Sequence, residues 1–310
     1  MEYSIIIYQM AILFAFIIVG IFVSRKKMVD DTSAKSISKL IANVFNPALI
    51  MASVVGQDAG AIKDTLGVAA LIAVVTFAIN IVLAFVMAKI FAKNEDEKKM
   101  FKVMTVFSNI GFIGIPLVRA LYGGTAVIYV AIFILLYNVL LYTYGVSVLQ
   151  GHAGAKKSGL LADTLKKILN VGTLSCVAAI IIFLFDIPIP TMAGTIIQQL
   201  GNVATPLALM AIGFSLGHTN VREILFNKRL YAFSVLKLIV IPAVSILILK
   251  AIPLPGNLFG VTAALLAMPV GNMPLILSVE YDVDGKVCSE GIILSTILSM
   301  ATLPLVMGLV

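Results

Sequence analysis

Charge is scarce in this sequence. Asp, Glu, Lys and Arg make up 12% of its 310 residues, against 61% hydrophobic residues. With a mean hydropathy of +1.10, too little charge remains to cover a soluble domain of this size. A lipid bilayer is the solvent that suits such a chain. Cysteine is scarce too: Cys176 and Cys288 lie in or beside apolar runs, with neither metal spacing nor a disulfide framework, and read as small core residues. There is no Walker A sequence, which argues against ATP drive within this chain, and no HExxH zinc helix. No catalytic constellation appears, so no enzyme, cofactor or metal is expected. The net charge of +7 invites a nucleic-acid reading. However, the basic residues sit in short loops and form no stripe with interleaved aromatics, so nucleic acid is not an expected partner. The N-terminus carries no basic region and no cleavage site, so the first apolar run is read as a retained helix.

What is present is a succession of apolar runs long enough to cross a bilayer, at about 3–23, 38–56, 65–91, 101–121, 125–150, 166–187, 192–217, 229–251, 257–280 and 287–309. The expectation is an all-α membrane protein of ten transmembrane helices. The odd-numbered loop regions carry 18 of the 22 Lys and Arg residues; Lys63, Arg119 and Lys250 fall in the even-numbered ones, and Lys237 falls inside a span. Positive loops stay cytoplasmic, so both termini are expected outside, with the protein multi-pass in the inner (cell) membrane. The 151–165 stretch has linker character and divides the chain into 1–150 and 166–310, five spans each. His152 within it, and His218 after the seventh span, read as solvated loop residues.

The halves echo each other. Asn43, Val44, Pro47, Met51 and Ala52 recur 159 residues later as Asn202, Val203, Pro206, Met210 and Ala211. Pro116-Leu117 in the fourth span recurs as Pro274-Leu275 in the ninth. An odd number of spans per half makes the repeat inverted, an architecture of secondary carriers, and matched helix breakers point to a binding site. Spans two, four, seven and nine are expected to be interrupted at Pro47, Pro116, Pro206 and Pro274. Proline cannot donate to the helix and clashes with the preceding turn; Gly111, Gly114, Pro269 and Gly271 ease the unwinding. Membrane prolines also occur as simple kinks.

Freed backbone groups at membrane depth must face protein or a wet cavity. The half-helix that starts after a break presents its positive end there, and such ends favour carboxylates and phosphates. If spans four and nine cross, two positive ends converge. Asn109 and Asn272 stand at these breaks with two roles open to each: contact with a bound anion, or capping of freed backbone groups. Asn43, Asn46, Asn202 and Thr205 fall on the second and seventh spans, where local backbone bonding is the leading role. Lys237 either snorkels to the interface or attracts an anion toward the site. Asp186 and Glu280 read as interfacial, and Glu290 as a minor candidate for proton handling. No acidic pair lies at the breaks, against a dedicated sodium/proton antiporter.

The stretch Asn109-Ile110-Gly111-Phe112-Ile113-Gly114-Ile115-Pro116-Leu117 resembles the fourth-helix motif of the auxin efflux carrier family. Pro269-Val270-Gly271-Asn272-Met273-Pro274, followed by Glu280-Tyr281, is similar to its ninth-helix motif. Leu294-Ser295-Thr296 and Leu303-Pro304-Leu305 resemble its tenth helix, and Tyr137-Asn138 lies where the family often has an aromatic residue facing the site. The resemblance implies a scaffold of spans one, two, six and seven and a transport part of spans three to five and eight to ten. It further implies an elevator-like movement, a homodimer, and a carboxylate substrate that is auxin in plants and malate- or malonate-like in bacterial relatives. The short central loop lacks the long insert of the plant carriers and points to a compact prokaryotic-type member. Sodium-coupled uptake of the bile acid carrier type, and a receptor that binds the anion without moving it, remain alternatives.

Overall fold

The computed structural model describes residues 3–56, 63–150, 165, 168–217, 224 and 227–310. The linker calls at 151–164, with His152 and His218, lie outside the described residues. Among the described residues the chain is helical and forms no strand. We number the helices α1 (Tyr3–Arg25), α2 (31–52), α3 (Leu66–Phe91), α4 (Glu95–Val106), α5 (Ile110–Tyr122), α6 (Val127–Gln150), α7 (Val171–Leu184), α8 (Thr191–Gly217), α9 (Lys228–Leu249), α10 (Leu258–Leu266), α11 (Met273–Glu280) and α12 (Lys286–Met307). The helices α3, α6, α8, α9 and α12 are long and apolar enough to cross a membrane, and parts of α1, α5 and α7 are shorter apolar helices. Their outer faces remain apolar: Leu71 and Val82 of α3 are 62% and 65% exposed, as lipid-facing side chains are. The protein is a multi-pass membrane protein.

Short polar residues start the helices where loops meet spans. The side chains of Asp30, Asn94, Asn170 and Asn227 accept hydrogen bonds from the amides of Ser33, Glu97, Thr173 and Leu230 at the first turns of α2, α4, α7 and α9, each satisfying one orphan donor. Within the bilayer, close packing replaces the hydrophobic effect. Accordingly α1 and α8 meet through glycines. A Cβ on Gly20 would strike the Met210 backbone, and one on Gly213 the carbonyl of Ile17. Ser24 donates across this seam to the Phe214 carbonyl at 3.0 Å. Cys176 and Cys288 are buried and unpaired.

The expected interruptions are not all present. α8 runs unbroken through Pro206. α2 stays helical through Pro47, widened into a turn of π type at Ile41–Phe45. The same device precedes Pro116, at Ile110–Gly114, and Pro242, at Leu236–Val240. A wider turn moves the carbonyl that a proline ring would otherwise hit and absorbs the missing hydrogen bond. Pro47, Pro116 and Pro206 are therefore kinks or accommodated sites rather than breaks.

True breaks occur at 107–109 and 267–272. The first lies seven residues before Pro116, which sits inside α5. Pro274 occupies the first turn of α11, where its missing N–H costs nothing.

Candidate functional site

The two breaks lie against each other. Ser108 and Val270 form an isolated antiparallel bridge. Asn109 donates its amide to the Pro269 carbonyl at 2.8 Å, and Gly271 donates to the Phe107 carbonyl at 2.9 Å. The Val270 amide is taken by the Ser295 hydroxyl of α12 at 3.1 Å. Unwound backbone at membrane depth is thus satisfied by the opposite break, which is why neither segment stands alone. Glycine is favoured at one point of this crossing: a Cβ on Gly271 would lie 3.0 Å from the carbonyl oxygens of Phe107 and Ser108. Gly114 packs on the Leu265 side chain of α10, whereas nothing lies within 4 Å of a Cβ on Gly111. One of the three glycines therefore borders open space and the other two serve close approach.

Each second half-helix begins at the crossing. In α5 the side chain of Asn109 accepts from the Phe112 amide at 3.1 Å, and its carbonyl takes the amides of Ile113 and Gly114. Gly111 contributes a first-turn amide with no partner inside the helix. In α11 the first bond back along the chain runs from the Ile276 amide to the Asn272 carbonyl, and Asn272 makes no side-chain cap. The amides of Met273 and Leu275 precede that bond. Two positive helix ends therefore meet here.

Two negative ends meet here as well, because α4 and α10 finish at the same crossing. Sequence reasoning counted only the positive pair. Lys237 of α9 alters the balance. It is 1% exposed, and its ammonium donates to the Thr105 carbonyl at 2.6 Å and to the Ser108 hydroxyl at 2.8 Å. Thr105 belongs to the last turn of α4, where carbonyls are unpaired and the helix end carries about half a negative charge. When protonated, the amine at that end adds positive charge to the crossing. The snorkelling reading of Lys237 is overturned: the wide turn at Leu236–Val240 carries it inward, and two buried acceptors hold it there. No ion pair to Lys237 occurs among the described residues.

The wall around the crossing is aromatic and polar. Tyr137 of α6 is buried and packs edge-on against Phe107 at 5.2 Å and Phe77 at 6.4 Å. Its neighbour Asn138 instead ties α6 to α7 through Thr173 at 2.8 Å. A cavity of about 20 Å³ bordered by Thr76, Asn80, Ser108 and Tyr137 has room for one water. It is too small for a carboxylate. Asn80 is 5% exposed and its side-chain oxygen has no partner. α8 passes alongside the first turn of α5. Asn46 of α2 and Thr205 of α8 each bury a side-chain oxygen without a partner, in place of the local backbone bonds expected. Asn43 does make such a bond, to the Lys39 carbonyl at 2.9 Å. Asn202 accepts from the Arg119 guanidinium at 2.6 Å, and the Glu290 carboxylate accepts from Asn227 at 3.3 Å.

The structure thus joins Asn109, Gly271 and Lys237 in one hydrogen-bonded crossing, with Gly111, Gly114, Asn272, Pro274 and Tyr137 around it. Pro47 and Pro206 lie on α2 and α8, which pack against each other. Sequence reasoning quoted Ser295 only within the tenth-helix resemblance, and passed over Ser108 and Asn80. The last carried a readable signal, an amide amid the apolar run Phe77–Phe85.

Comparison with known proteins points to membrane transport. A family model described as membrane transport protein matches residues 5–307. An uncharacterized transporter of Methanothermobacter thermautotrophicus is 25% identical, the alignment covering 93% of each chain. The uncharacterized transporter MJ1031 of Methanocaldococcus jannaschii is 26% identical over 93% of this chain and 94% of its own. The uncharacterized transporter YfdV of Escherichia coli K12 is 21% identical over 93% and 92%.

Proposed function

The chain belongs to this membrane transport protein family, the auxin efflux carriers, and from that premise we propose that it is a secondary transporter of small organic anions, mono- or dicarboxylates of malate or malonate type. The observation that carries the reading is the crossing itself: two half-helix N-termini converge beside a buried lysine whose amine donates to the opposing C-terminus. A carboxylate gains from such preorganised dipoles without a paired carboxylate having to leave.

In this reading ten spans form two inverted five-helix halves. α4–α5 and α10–α11 are the broken fourth and ninth spans. The scaffold comprises spans one, two, six and seven, and spans three to five with eight to ten carry the anion by an elevator movement. The cavity at the crossing admits only a water, so loading requires displacement between these two parts. Both termini face outward from the cell membrane, and two copies associate through their scaffolds.

The test is counterflow of labelled malonate in proteoliposomes. An N-cap replaced by Ala costs about 1 kcal/mol of stability, so Asn109→Ser, which keeps an acceptor for the Phe112 amide but loses the amide donor, isolates binding from capping. Both Asn109→Ala and Asn109→Ser are expected to slow counterflow, by about tenfold for one lost contact of ~1.4 kcal/mol. Unchanged affinity and rate in both variants removes Asn109 from the site, and binding of malonate without counterflow in the parent protein identifies a receptor.

A further inference from the structure

We propose that a second carboxylate site lies around Arg119, apart from the crossing. A cavity of about 220 Å³ opens between α2, α5 and α8, bordered by Ala52, Ser53, Arg119, Gln198 and Asn202. It is about ten times the volume of the cavity at the crossing. Arg119 is the single charged residue of α5. Its guanidinium has five donors in a planar fork, and one contact, from Nη2 to the Asn202 oxygen at 2.6 Å, is its hydrogen bond to another helix. No ion pair to it occurs among the described residues.

A guanidinium held by a neutral amide is open to exchange for a carboxylate, which accepts two parallel bonds from the fork. Gln198 lies four residues before Asn202 on α8, hence on the same helix face. The lining therefore offers one cation and two primary amides and no carboxylate, the donor set of an anion site. Arg119 is ten residues beyond Asn109, about 15 Å along a helix at 1.5 Å per residue. An acid of four or five carbons does not bridge that distance, so the two sites are separate. If the transport reading holds, this is the mouth at which the anion is collected, since it adjoins the end of α5 remote from the crossing. Arg119 and Asn202 then also join the moving part to the scaffold, and the arriving anion releases that contact.

The experiment uses full-length protein in maltoside micelles, which carry no phosphate. Both native cysteines are buried, so an Ala52→Cys variant offers one accessible thiol, in the cavity wall. Its labelling by a charged methanethiosulfonate is followed with and without malonate. At ten times Kd mass action leaves about a tenth of the sites empty, so malonate is expected to slow labelling about tenfold. Adding Arg119→Gln should abolish that protection, and Arg119→Lys should weaken it. Adding Asn109→Ala should leave it intact. Protection that survives Arg119→Gln, is lost with Asn109→Ala, or is given by phosphatidylglycerol but not by malonate overturns the proposal, as does no protection at all. Protection by malonate in a protein that shows no counterflow would sink the transport reading and leave this site standing.

Discussion

Replacing Gly271 by alanine tests whether the two breaks depend on each other. The new methyl would sit 3.0 Å from two carbonyl oxygens and 3.1 Å from the Ser108 carbonyl carbon. All three are backbone atoms, so no side chain can swing aside. If the crossing holds, overpacking costs about 1–3 kcal/mol. If it parts, the bonds from Gly271 to Phe107 and from Asn109 to Pro269 stretch, at roughly 0.5–1.5 kcal/mol each. Either route destabilises by about 1–3 kcal/mol. Gly111→Ala is the matched control, because its methyl meets nothing within 4 Å and alanine is the better helix former. Unfolding is read with a thiol-reactive dye, since Cys176 and Cys288 are buried until the fold opens. At about 2 °C per kcal/mol for a large chain, Gly271→Ala should melt roughly 2–6 °C lower and Gly111→Ala near the parent. Equal melting temperatures for the two variants would refute the interlocked crossing.

Further outcomes follow from the same contacts. Lys237→Met removes the donor to the Thr105 carbonyl and the Ser108 hydroxyl; hydrogen bonds of charged groups contribute roughly 1.5–3 kcal/mol, and malonate counterflow should fall at least tenfold. A parent-like rate would show that the ammonium does not shape the field. Gly213→Ala drives a methyl into the Ile17 carbonyl and should lower the melting temperature by several degrees, at about 2 °C per kcal/mol of overpacking, with no effect predicted for a substitution at the open Gly67. At the polar start of α4, ahead of the apolar run that begins at about 101, hydrogen bonds from Arg229 hold the Glu97 carboxyl below the ordinary carboxylate range. Its folded pKa is depressed, so its stabilisation is complete above the unfolded value near 4.5 and drains away as pH falls through the folded value. Glu97→Gln should melt lower than the parent at neutral pH, and the gap should close in acid. A gap that stays constant with pH would contradict the pairing.

Much of this arrangement was legible in sequence, for a definite reason. Hydropathy marks where a chain meets lipid, because unpaired backbone cannot be hidden there; the caps at Asp30, Asn94, Asn170 and Asn227 were left unread. The fourth and ninth segments also carried the glycines that let backbones approach. The exact places of the breaks were not legible. Proline reads as a breaker, yet a π-type turn absorbs it at Pro47 and Pro116, and α8 carries Pro206 without interruption. What unwinds the chain at 107–109 is a tertiary bargain with Pro269 and Gly271, which no local pattern announces. The inward turn of Lys237 was illegible for the same reason, since its acceptors lie some 130 positions earlier in the chain.

The most direct test of the account is thiol accessibility at position 111, the point of the crossing that faces open space. A Gly111→Cys variant in sealed proteoliposomes should react with membrane-impermeant reagent applied from either side, and malonate should protect it. A thiol that labels from one side only, or is indifferent to malonate, would contradict an anion carrier that works through this crossing.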